Sequence, residues 1–150
     1  MIESIREDAQ YVFSTRGIAA NPVQCGVTHA RFYKWLLVKY GVQCEFRSIK
    51  EVDLPKHYPS SQGLDDETFL YWRERDLLID ICATPETGPY VGPNLYDLDK
   101  SHLWTVKLPG QSMNGVLNRE AFFSSIHWID LGCPSELQKD YPLFWRGHET

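Results

Sequence analysis

QCGVTHARFYKWLLVKYG, residues 24–41, decides how the rest of the chain is read. Its apolar members Val27, Phe32, Trp35, Leu36, Val38 and Tyr40 spread widely around a helix, and Gly41 stands where a helix end needs a left-handed residue. The pattern predicts a buried central helix over 27–40, with Cys25 at its head. A cysteine there has two meanings. The unpaired N–H groups and positive dipole end of a helix stabilise a thiolate and could hold the oxyanion of a tetrahedral intermediate. Free cysteine is also among the most buried of residue types, and Cys25 could simply be a small core residue.

Upstream, RGIAANPVQ (16–24) reads as a loop because Gly17 and Pro22 interrupt regular structure. Before it, Ile5, Ala9, Val12 and Phe13 recur at helical spacing and predict a helix over 4–15, with Ser4 and Glu7 as a capping box. Downstream, residues 43–49, 68–74 and 76–82 are rich in β-branched and aromatic residues and read as strands. The short turn at Arg75-Asp76 makes the last two antiparallel neighbours. Residues 51–67 and 83–101 read as long loops rich in Pro, Gly and Asp, of the kind that carry function. HLWTVKL (102–108) is a further strand, REAFFSSI after Asn118 a short capped helix, and HWIDLGC (127–133) a last short strand.

The chain of 150 residues suits one domain with one core, and its 43% apolar and 13% aromatic content excludes a disordered chain. A single domain over 1–150 is expected. The net charge of −5 is scattered, with no Lys/Arg cluster to neutralise consecutive phosphates, so nucleic acid is not an expected partner. No apolar run reaches membrane-spanning length and MIESIREDAQ is too charged for a signal peptide, so a cytoplasmic protein without a membrane partner is expected, although signal-less export would leave no trace. Cys25, Cys44, Cys82 and Cys133 are too far apart for a dense disulfide framework or a CxxC zinc pattern, so reduced thiols are expected, and neither metal nor cofactor.

A helix opening CGVTHARFYKWLLVKYG, the strand VQCEFRSI, a long loop, the strand TFLYW, a hairpin and the strand DLLIDICATPETGPYVGP together resemble the transglutaminase-like branch of the papain-like cysteine fold, in the manner of its small bacterial members, over roughly residues 20–93. The resemblance implies an α+β fold with a central helix packed on an antiparallel β-sheet. It implies that Cys25 matches the nucleophile and Asp80 the carboxylate that orients a histidine. The histidine itself departs from the pattern, because Phe69-Leu70-Tyr71 stands where the family has His-x-Trp. His102, opening a strand that resembles the His-Ala-Trp-Val strand of transglutaminases, is then the leading base, paired with Asp80 or, in a second register, with Asp130. His29, one helical turn beyond Cys25, ranks lower because a base on the same helix has little freedom to reach the thiol. The backbone N–H of Cys25 and the side chains of Gln24 or Asn21 would bind the oxyanion, with Phe69 beside the substrate.

Two functions follow. In the first, Cys25 attacks an amide carbonyl and passes the acyl group through a thioester to water or an amine, with a peptide, a protein or a small amide as substrate. In the second, the chain is a catalytically inactive member of the fold that binds a protein or ligand, or acts as an inhibitor, since a phenyl ring cannot accept a thiol proton.

Overall fold

The computed structural model describes residues 1–15, 25–55, 66–84, 88–104 and 118–125. They form an α+β arrangement in which five antiparallel strands lie in the order β4-β3-β2-β1-β5, with helices on one face. The elements are α1 (Ile2–Thr15), α2 (Cys25–Trp35), β1 (Glu45–Lys50), β2 (Asp66–Trp72), β3 (Leu77–Thr84), β4 (Gly88–Pro93), β5 (His102–Trp104) and α3 (Arg119–Ser125).

The period-two alternation of β2 and β3 divides the interior into two clusters. Leu70, Trp72, Leu77, Ile79 and Ile81 join Phe46 of β1 and the helical residues Ile5, Ala9, Val12, Phe32, Trp35 and Leu36. On the other face Phe69, Tyr71 and Leu78 join Ile49 and Tyr96. α2 therefore covers the middle of the sheet, as its wide apolar surface predicts. α1 packs on the β3–β4 side, where its Arg6 Nε donates to the Val91 carbonyl at 3.1 Å. α3 places Phe122 and Phe123 against Trp35, at ring separations of 5.0 and 5.5 Å.

One buried carboxylate ties the three helices together. Asp8 accepts from Trp35 Nε1 at 2.9 Å, from the Tyr40 hydroxyl, and from Arg119 Nη1 at 3.1 Å. A buried carboxylate is costly unless its lone pairs are satisfied, and three donors satisfy it. Burial and the bond to Asp8 together raise the Tyr40 pKa well above the usual phenol value.

Several boundaries differ from those expected. α1 starts at Ile2, with Ile5 N–H donating to the Met1 carbonyl, so Ser4 lies inside the first turn and is not its cap. The central helix begins at Cys25 and changes to a π-helix over Leu36–Tyr40, which Gly41 ends at φ 66° by donating to the Leu36 and Leu37 carbonyls. The β2–β3 link is a 3₁₀ turn, Arg73–Arg75, followed by Asp76 in the left-handed region, rather than a two-residue hairpin. Residues 88–93, expected as loop, form the edge strand β4, because Pro89 and Pro93 are tolerated where no further strand requires their missing N–H. Ser101, which precedes β5, and Leu98 tie their segment to Arg47, whose Nη1 donates to the Ser101 hydroxyl at 2.8 Å. The expected loop 16–24, the end of the 102–108 strand and the 127–133 strand lie outside the described residues.

Candidate functional site

Cys25 is the first residue of α2, the position its sequence context predicts. His29 follows one turn later and is fully buried. The reason lies in the neighbouring strands. β2 and β3 pair at Trp72↔Leu77, Tyr71↔Leu78 and Leu70↔Ile79, and the pairing stops there. Into the opening beyond Leu70 the His29 ring inserts, with Ile81 N–H donating to Nε2 at 3.0 Å and Nδ1 lying 3.2 Å from the Thr68 hydroxyl. Because Nε2 accepts a backbone proton, the ring proton is assigned to Nδ1, which donates to Thr68 Oγ1. The imidazole thus stands in for a rung of the β-ladder, supplying an acceptor to a buried amide that would otherwise have none.

Asp80 adjoins this cluster. It is fully buried, accepts from the Tyr96 hydroxyl at 2.8 Å through Oδ2, and its Oδ1 is 3.7 Å from His29 Nε2. The imidazole that lies beside Asp80 is that of His29, and not that of His102. His102 lies on β5, is exposed, pairs with Ser48 and packs edge-to-face on Trp104 with ring centres 4.4 Å apart. Going from β5 through β1 and β2 to β3 takes three strand spacings, about 14 Å. The described structure does not bring His102 and Asp80 together.

Phe69 also departs from its expected role beside a substrate. It is fully buried on the face away from α2, in edge-to-face contact with Tyr96 at 4.7 Å. The residue of β2 that meets α2 here is Thr68, and a shift of one residue along a strand exchanges faces. Asn21, Gln24 and Asp130 lie outside the described residues, as do His57, His127 and His148. Among the described residues no three His, Cys, Asp or Glu side chains converge as metal ligands. No described helix is long and apolar enough to cross a membrane. Cys44 is a free, buried thiol whose pKa is pushed up to about 12 by burial and then by the adjacent Glu45, which makes it inert.

At the other end of α2 the structure holds a cleft of about 440 Å³. Tyr40 and Val42 from the end of the helix and Trp72 from β2 supply apolar surface, and Gln43, Arg73 and Arg75 supply polar groups. Arg73 donates to Glu45 through Nε at 2.6 Å and Nη2 at 3.1 Å, and this bond, more than the one from Arg47, holds the Glu45 carboxyl below its usual pKa. The guanidinium of Arg75 lies over the Trp72 ring at 5.5 Å. Sequence reasoning missed both this cleft and Asp8. The cleft's signal was the alternation Trp72-Arg73-Glu74-Arg75 at a turn, and that of Asp8 an acidic residue three positions from Ile5 on the apolar stripe of α1.

No family model, curated protein or solved structure matches the chain.

Proposed function

We propose that this chain is a binding module on a transglutaminase-like, papain-like scaffold, in which neither described histidine serves Cys25 as a catalytic base. The order of helix, β1, β2 and β3 is compatible with that scaffold. One observation carries the reading: both ring nitrogens of His29 are engaged in the core, one by a backbone amide and one by Thr68, so the imidazole nearest in sequence to Cys25 supports the sheet instead of accepting a proton. His102, the other described histidine, stands on an outer strand away from Asp80. Acyl transfer from a thiol needs a base within hydrogen-bond reach of the sulfur.

A second reading keeps the enzyme. It is favoured by the position of Cys25 as the first residue of α2, where helix N–H groups stabilise both a thiolate and an oxyanion. In that reading the thiolate attacks the carbonyl of a peptide, protein or small amide, and the amine leaves with a proton supplied by a histidine.

The pH dependence of iodoacetamide alkylation at Cys25, read by mass spectrometry of each thiol, separates the two. A helix terminus contributes at most about 2 kcal/mol, or roughly 1.5 pKa units. A binding module should therefore give a midpoint between about 7 and 8.5, unchanged by His102→Ala. A midpoint below about 6.5 that is lost in a histidine variant, with release of amine from a model anilide, would overturn this proposal in favour of the enzyme.

A further inference from the structure

We infer that the cleft between the end of the π-helix and the β2–β3 turn is a binding site for a small organic monocarboxylate, its acid group on Arg75 and its apolar body over Trp72 and Val42. The inference goes beyond the function proposed above and does not rest on the chemistry of Cys25. Roughly 20 Å of helix separates Cys25 from Tyr40.

The two arginines at the rim are in different states. Arg73 is committed, since two of its donors are spent on Glu45, a carboxylate that it shares with Arg47. The guanidinium of Arg75 lies over the Trp72 indole, 5.5 Å from the ring centre, and no carboxylate among the described residues lies within ion-pair distance of it. A guanidinium stacked on an aromatic face keeps its in-plane N–H fork for a second partner, and that fork matches a carboxylate. Stacking also restrains the side chain before a ligand arrives, which lowers the ordering cost of binding.

The remaining walls define what the acid is attached to. Trp72 and Val42 are almost fully buried and form a firm apolar floor. A Cβ built on Gly41 would meet nothing within 4 Å, so the backbone on that side borders open space. The volume, about 440 Å³, is at the lower end for small-molecule sites and accommodates a body the size of one aromatic side chain. The π-helix that brings Tyr40 to this wall is a local irregularity of the type found at functional sites. Glu74 also lines the rim, and its charge opposes that of Arg75. The field in the cleft is therefore too weak to favour a polyanion such as a nucleotide, whereas one carboxylate on an apolar body is matched.

Such an acid could be a free metabolite or the C-terminus of a peptide, and calorimetry on the full chain distinguishes them. The probes are 3-phenylpropanoate, its amide, and N-acetyl-Ala-Ala-Phe with a free carboxylate. Phenylpropanoate should bind, the amide at least about tenfold more weakly, and Arg75→Gln should cost the acid about tenfold, as expected for a charge-assisted bidentate contact. Glu74→Gln should tighten the acid about twofold by removing the opposing charge. Both side chains are exposed, so urea unfolding midpoints close to that of the parent will confirm that the variants fold. If the tripeptide binds as well as the free acid, the natural ligand class is a peptide terminus, and if only the free acid binds, it is a small metabolite; either result supports the site. Equal affinity for acid and amide, no binding of either acid at tens of millimolar, or full affinity in Arg75→Gln would overturn the inference.

Discussion

Replacing His29 by alanine tests whether the imidazole is a structural rung. The substitution removes the acceptor of the buried Ile81 N–H, and an orphaned buried donor costs about 1–3 kcal/mol. It also removes a fully buried ring and leaves a space that the flanking strands only partly close, for a further 1–2 kcal/mol or so. Thr68 adds little, because its hydroxyl oxygen accepts from His29 and its own O–H remains free to donate elsewhere when the ring is removed. The sum is about 2–5 kcal/mol, which in a domain of this size lowers Tm by roughly 4–20 °C. His29→Gln should recover part of the loss, since its amide oxygen can accept from Ile81. Urea unfolding followed by tryptophan fluorescence measures the loss, and amide exchange at Ile81 locates it. A loss under about 1 kcal/mol in His29→Ala, with Ile81 still protected, would refute the ladder role and reopen His29 as a catalytic base.

The remaining expectations concern the other buried groups. Asp8→Ala should destabilise by about 2–4 kcal/mol, mostly from the orphaned Trp35 Nε1, because Arg119 and Tyr40 reach water more easily; thermal unfolding checks this, and a change under 1 kcal/mol would mean the helices do not depend on the carboxylate. Cys44 titrates near 12 when folded and near 9 when unfolded, so the unfolded state loses its proton first and stability falls as pH rises from about 9 towards 12. In Cys44→Ala the slope of stability against pH just above 9 should be shallower, and an unchanged slope would contradict the burial of that thiol. Glu45→Gln should release Arg73 and, by removing a negative charge beside the cleft, tighten carboxylate binding about twofold; unaltered affinity would show that the charge of Arg73 does not reach the ligand.

The central helix was legible because Phe32, Trp35 and Leu36 had to be buried and Gly41 had to end it, and both inferences rest on local rules of spacing and left-handed backbone. β4 was not, because Pro89, Gly92 and Pro93 oppose strand formation everywhere except at an edge, and which strand lies at an edge is a tertiary fact. Asp80 stood out as a carboxylate in an apolar strand, where burial demands partners; that Tyr96 donates to it and that His29 is the imidazole beside it could not be read, since both depend on tertiary placement and on where the β2–β3 pairing stops. The face occupied by Phe69 was likewise a matter of register, decided by one residue. The cleft depends on Arg75 folding back over Trp72 while Arg73 turns to Glu45, a division of labour between two identical side chains that their spacing leaves undetermined.

A pair of strands that borrows its next rung from a helix cannot finish closing by itself. Until α2 docks, the Ile81 amide must keep its water, so the turn end of the hairpin can zip early while its open end waits for a part of the chain made some fifty residues before. Helix and hairpin then gain their protection together, and an opening of one exposes the amides of the other.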